Sequence, residues 1–223
     1  MEPRLTRGEY WLLETAVSTY YPMSYLCSER YFEPSRIEQV FNKPGHGLDR
    51  DQLIATLRAL FRDGLIEAVR DDFTFQMDES QIRDALDEKR PLENPSCTRY
   101  RMTPRGAAAW EVFAAPQWER FILDESLSTL DDRDLRPGTV ICMSEWRLKR
   151  YLAGVGLAGF EIEPGSVEIK KCGKWNPTYW KELPDGFQAQ FQWRMGERPP
   201  QNQLHWFAFA GFCDLRDGWY RWR

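Results

Sequence analysis

The chain is short of histidine, of paired cysteines and of positive charge, and each shortage excludes something. Only two histidines, His46 and His205, occur in 223 residues. His46 follows Pro44-Gly45 in a turn cluster and His205 stands in an apolar run, so neither position suits the general base that an activated serine or cysteine needs. The five cysteines (Cys27, Cys97, Cys142, Cys172, Cys213) contain no CxxC pair, which leaves neither a zinc-site spacing nor an even-numbered disulfide framework. No apolar run approaches the roughly 20 residues of a membrane-spanning helix. The opening MEPRLTRGEYW has no apolar signal core, so cytoplasmic residence is the expectation. There is no P-loop and no GxGxxG, and the paired acids Glu161/Glu163 and Asp131/Asp132 fall where carboxylates are ordinarily solvated. The expectation is a chain that is not an enzyme and uses no metal or cofactor.

Positive charge is missing where it would matter most. Net charge is −4; residues 1–120 carry 16 Lys+Arg against 20 Asp+Glu, and residues 121–223 carry 14 of each. Affinity for duplex DNA is mainly phosphate neutralisation, so the acidic N-terminal half lacks the coat that a DNA-binding module needs. Apolar content of 42% with 29% charged residues fits a globular chain with a sizeable core.

What is present begins with helix start and stop signals. Thr6 with Glu9, Ser35 with Glu38, and Asp49 with Gln52 are three capping-box pairs inside the first 52 residues. In Asp49–Arg70, Leu53, Ile54, Leu57, Leu60 and Phe61 recur at helical spacing. Gly64 then supplies a left-handed stop, and Leu65–Val69 resumes as a strand. Residues 71–97 are an insertion, inside which Asp78 caps a short helix over 79–88. Thr98–Met102 alternates and is expected to pair with 65–69. Thr103 and Pro104 open a helix that ends before Pro116, with 117–123 continuing it at an angle.

DRDQLIATLRALFRDGLI and YRMTPRGAAAWE resemble the recognition helix, wing strand and post-wing helix of MarR/PadR-type winged-helix proteins, over residues 5–120. The resemblance implies a winged helix-turn-helix with DNA contacts from Gln52, Arg58, Arg62, Arg99 and Arg101. The chain departs from that pattern at 71–97, where a helix-bearing flap stands in place of a short wing tip. YWKELP in the C-terminal half resembles a stretch of small bacterial proteins with no assigned activity.

The acidic segment 124–138 reads as a linker, which gives an N-terminal domain 1–123 and a C-terminal domain 139–223. In the latter, Thr139–Met143 reads as a strand, and Ser144 caps a helix to Gly154 with Trp146, Leu148, Tyr151 and Leu152 buried. Phe160–Glu163 and Val167–Lys170 read as a hairpin around Pro164-Gly165. Phe187–Trp193 reads as a strand with one aromatic and one glutamine face. Leu204–Phe212 is taken as the central strand and Trp219–Trp222 as the last. The fold class expected is α+β, a winged helix followed by an antiparallel sheet with one helix.

Six of ten tryptophans follow residue 170. Tryptophan and tyrosine dominate interface hot spots because they bury area and keep a polar handle. Trp175, Tyr179, Trp180 and Lys181, with the glutamine row Gln188, Gln190 and Gln192, are therefore the expected partner-binding set. The functional expectation is a protein-binding module of adaptor, inhibitor or immunity type. The alternative is a DNA-binding regulator with a C-terminal sensing or dimerisation domain.

Overall fold

The computed structural model describes residues 4–27, 46–89, 94, 96–125, 134–196 and 203–220, with backbone only for 203–207. The helix expected at Ser35 and the turn residues 42–45 lie outside the described residues. The chain is α+β and divides into two units. Among the described residues, the first holds those up to Ala115 together with Thr178–Trp180; the second holds those in Pro116–Pro177 and from Lys181 to Tyr220. The division falls at 115/116, ahead of the expected linker, and the ends of that linker are strands.

In the first unit each helix starts on a side chain that satisfies its own orphan amides. Thr6 caps α1 (Arg7–Thr15), Asp49 caps α2 (Arg50–Arg62) and Asp78 caps α3 (Glu79–Leu86), each in a reciprocal capping box with Glu9, Gln52 and Gln81. Gly64 adopts φ 66°, and the amides of Gly64 and Leu65 reach back to Phe61 and Leu60, closing α2 in a Schellman motif. The chain leaves directly into β2 (Ile66–Arg70). Asp71 and Asp72, both at positive φ, turn it into β3 (Phe73–Phe75), an edge strand that the sequence did not announce. β4 (Arg99–Met102) returns between β2 and β1 (Tyr21–Pro22), giving the antiparallel order β1-β4-β2-β3.

The Thr-x-x-Gly signal has a steric explanation. Thr103 caps α4 (Pro104–Ala114), donates its hydroxyl to the Gly64 carbonyl at 2.6 Å, and donates its amide to the Leu65 carbonyl at 3.0 Å. A side chain on Gly106 would stand 1.9 Å from that same Leu65 oxygen. Only glycine lets α4 lie this close to the α2–β2 junction. The interior is filled by Tyr10, Leu12, Leu57, Leu60, Tyr100 and Trp110, all at 1% exposure or less.

The second unit is one antiparallel sheet with helices on a single face. Residues 117–123 do not prolong α4: Ala115 takes a left-handed conformation, a single 3-10 turn follows at Trp118–Arg120, and β5 (Ile122–Asp124) begins. β6 (Arg136–Cys142) pairs with β5 on one side and with β11 (Gly186–Met195) on the other. The expected hairpin at 160–170 does not form. β7 (Phe160–Ile162) and β8 (Glu168–Cys172) both pair with the outer edge of β11, end to end, with a register shift of three residues between them. The Ser166 hydroxyl fills that gap, accepting from the Gln192 amide at 3.0 Å and donating to the Glu163 carbonyl at 2.7 Å. β9 (Trp175–Thr178) and β10 (Lys181–Leu183) form a separate two-stranded ribbon.

Ser144 caps α5 (Glu145–Gly154), as expected, but its buried side is Arg147, Leu148, Tyr151 and Leu152 rather than Trp146. Leu204–Phe212 is helix, not the central strand; it lies in α6 (Gln203–Asp217), and among the described residues no strand follows it. A continuous apolar run carries no period that separates the two states. Tertiary burial of Phe212, Cys213 and Leu215 decided for helix. The sheet thus carries two helices, α5 and α6, instead of one, and the central strand is β11.

Candidate functional site

The nucleic-acid candidates all lie in the first unit. α2 buries Leu53, Ile54, Leu57, Leu60 and Phe61, so Asp51, Gln52, Ala55, Arg58 and Arg62 face outward. Gln52 is committed to its cap, accepting from the Asp49 amide at 3.0 Å. Arg58 lies 3.1 Å from Glu79, Arg62 2.9 Å from Asp63, and Arg101 2.7 Å from Glu67 with a second bond to the Tyr20 hydroxyl at 2.8 Å. Arg99 is half-buried on β4.

The inserted segment supplies most of the neutralising acids. Arg50 pairs with Asp87 at 2.8 Å, Arg70 pairs with Glu88, and Arg83 of α3 reaches Glu79 at 3.0 Å and Asp51 at 3.6 Å. Arg83, and after it Arg58, hold the Glu79 carboxyl below its ordinary value; Arg62 does the same for Asp63. Exposed pairs of this kind add little stability, but they cancel the field that would meet a phosphate backbone. Residues 49–89 carry 11 Asp+Glu against 6 Lys+Arg, and the hairpin tip presents Asp71, Asp72 and a Phe73 ring that is 76% exposed.

The expected partner-binding set is split by the fold. Trp175 is 7% exposed, donates its indole N–H to the Asp185 carbonyl at 2.9 Å and stands beside Phe121 in the second unit. Tyr179 and Trp180 belong to the first unit. The Tyr179 hydroxyl donates to the Ala16 carbonyl at 2.8 Å and accepts from the Met102 amide at 2.7 Å, while Trp180 donates to the Val17 carbonyl at 2.9 Å. Burial raises the Tyr179 phenol well above its ordinary range. These rings make structural hydrogen bonds, Trp175 buried and Tyr179 and Trp180 half-buried. Lys181 is half-buried, its ammonium 5.2 Å from the Trp118 ring centre.

The glutamine row keeps its expected place. Ala189, Phe191 and Trp193 point into the α5/α6 side of the sheet, and Gln188, Gln190 and Gln192 point to the other, which no helix among the second unit's described residues covers. Register places Thr139 and Glu168 beside Gln190, and Ile141 and Lys170 beside Gln188. The result is a largely polar surface across three strands.

Two features escaped sequence reasoning. His46 is buried, with Nδ1 accepting from the Leu48 amide at 2.9 Å and Nε2 3.2 Å from the Leu26 carbonyl; burial lowers its basicity. This is the bonding pattern of a neutral core histidine. Trp146 on α5 is 64% exposed, although four-residue helical spacing could equally have placed it inward. Among the described residues no group of three His, Cys, Asp or Glu is placed to hold a metal ion, and no helix is long and apolar enough to cross a membrane. All five cysteines are free thiols, and burial raises Cys27, Cys142, Cys172 and Cys213.

Compared with known proteins, the chain matches no family model, no curated protein and no solved structure. Its function must be read from its own surface.

Proposed function

We propose that the chain is a non-enzymatic protein-binding module, of the adaptor, inhibitor or immunity type, whose N-terminal unit uses a winged-helix-like frame without its polyanion role. One observation carries this reading: three of the arginines expected to meet DNA, Arg58, Arg62 and Arg101, each have a carboxylate within 3.1 Å. The element order of the first unit and its β1-β4-β2-β3 sheet are compatible with such a frame. The partner surface is the open face of the second unit's sheet. Its glutamines offer donors and acceptors in a row without the desolvation cost of charge.

Two measurements test the proposal. Duplex DNA is expected to run unretarded with the intact chain even at low salt, whereas salt-sensitive retention would favour the regulator reading instead. Affinity capture of a specific partner is expected to be lost when Gln190 and Gln192 are replaced by arginine. Both side chains are solvated, so those changes leave the core alone. Capture that survives the double change would remove the sheet face from the proposal.

A further inference from the structure

Trp146 is the largest apolar side chain that the fold leaves uncovered among the described residues. Its exposure follows from helix geometry. Leu148, Tyr151 and Leu152 form the inward stripe of α5, and Trp146 lies on the far side of the same helix. Tryptophan is buried on average, and a single exposed indole is the residue type most enriched among interface hot spots.

Its surroundings give a charge preference. Arg150, one turn on, places its guanidinium 5.4 Å from the Trp146 ring centre. Lys149 is already matched by Glu145 at 2.6 Å, and Arg147 is turned inward, donating to the carbonyls of Arg120 and Leu215. No described carboxylate pairs with Arg150. The outward face of α5 therefore presents one exposed indole with a guanidinium lying over its ring, and no described carboxylate matches that cation. A nucleic-acid strand needs a track of cations along successive phosphates, and here there is a single one. One carboxylate beside an apolar side chain satisfies both groups.

We propose that the Trp146–Arg150 face of α5 docks an acidic segment of a protein partner, with an apolar side chain on the indole and a carboxylate on Arg150. The site rests on the protein-binding reading above and adds a second surface, on the helix side of the sheet rather than the glutamine side.

The test uses the full chain with ¹⁵N-labelled tryptophan indoles, the Trp146 resonance being identified by its loss in Trp146→Phe. The probe is a capped peptide of alternating aspartate and leucine, run beside the matched lysine–leucine peptide and an oligothymidine strand. The expected result is a saturable shift of the Trp146 indole with the acidic peptide alone, weakened at least about tenfold by Arg150→Glu. A response that is equal for the lysine peptide, larger for oligothymidine, or unchanged in Arg150→Glu overturns the proposal. So does no response at all, or a Trp146 shift that tracks protein concentration without peptide, which would mark self-association. Trp146→Phe and Arg150→Glu are both solvent-side changes whose folding is checked by unchanged thermal unfolding. Duplex retention, which tests the wider reading, is a separate measurement, so the two failures are told apart.

Discussion

Arg58 of α2 lies 3.1 Å from Glu79 of α3, the helix that the chain inserts between β3 and β4. A long-range contact of this kind turns an insertion into a charge filter. The same short helix and its flanks meet Arg50 and Arg70, and Arg83 on it meets Asp51. Each pair is exposed and individually weak; their joint effect is on the field above α2.

On the proposed reading, removing these countercharges should create retention of duplex DNA. The triple variant Asp51→Asn, Glu79→Gln, Asp87→Asn uncovers Arg50, Arg58 and Arg83 together. It is expected to retain duplex DNA at low salt and to release it as salt rises. Fluorescence anisotropy with labelled duplex reads the difference; identical behaviour of variant and native chain would show that the acids are not what silences the helix.

Two glycines separate conformational from steric cost. Gly64 has open space around a Cβ but sits at φ 66°, so Gly64→Ala is expected to lose about 1–2 kcal/mol from backbone strain alone. Gly106 has an ordinary backbone, but a Cβ would lie 1.9 Å from the Leu65 oxygen, so Gly106→Ala must move backbone and is expected to lose about 3 kcal/mol. Urea midpoints of the two variants give the order; the reverse order would refute this account of the α2–β2–α4 junction.

Tyr179→Phe is expected to destabilise rather than to affect binding selectively. It deletes the hydroxyl that accepts from the Met102 amide and donates to the Ala16 carbonyl, leaving two backbone groups without that partner. A loss of about 1–3 kcal/mol is anticipated by urea unfolding. A variant of native stability with lost partner capture would restore Tyr179 to an interface role.

His46 sets a pH dependence. Burial lowers its folded pKa below the ordinary 6.5, so the unfolded chain takes the proton more readily. Stability from this residue is complete above that ordinary value and is lost as pH falls through it towards the folded one. The mechanism is specific: the protonated ring cannot accept the Leu48 amide at Nδ1. His46→Gln is expected to flatten the thermal-midpoint profile between about pH 7 and about pH 5. An unchanged slope would place the acid limb elsewhere.

Local signals were legible where a residue's role is settled by its near neighbours. The boxes at Thr6 and Asp49, the caps at Asp78 and Ser144, the Gly64 stop and the alternation of Phe187–Trp193 could all be read because each depends on contacts within a few residues. The 160–170 segment reads as a hairpin because Pro164-Gly165 is a good turn in isolation. What outweighs it is the pairing of both of its strands with β11, which begins only at Gly186. Leu204–Phe212 was misread because an unbroken apolar run has no period to measure.

The candidate site was less legible still. The sequence showed Arg58 and Glu79 as separate charges, and its patterns set Trp146 on the buried side of its helix and Trp175 and Trp180 in a partner-binding set. Burial made Trp175 a core group, hydrogen bonding made Trp180 a structural one, and the far side of α5 left Trp146 outside.

By itself the sequence determined the fold class, most helix starts and the acidic balance of residues 1–120, since composition and capping act over short distances along the chain. Which rings are hidden, which arginines are matched and which strand lies at the centre of the second sheet were decided only in three dimensions. Those outcomes depend on groups tens of residues apart competing for the same burial and the same countercharge, and no local pattern records who wins.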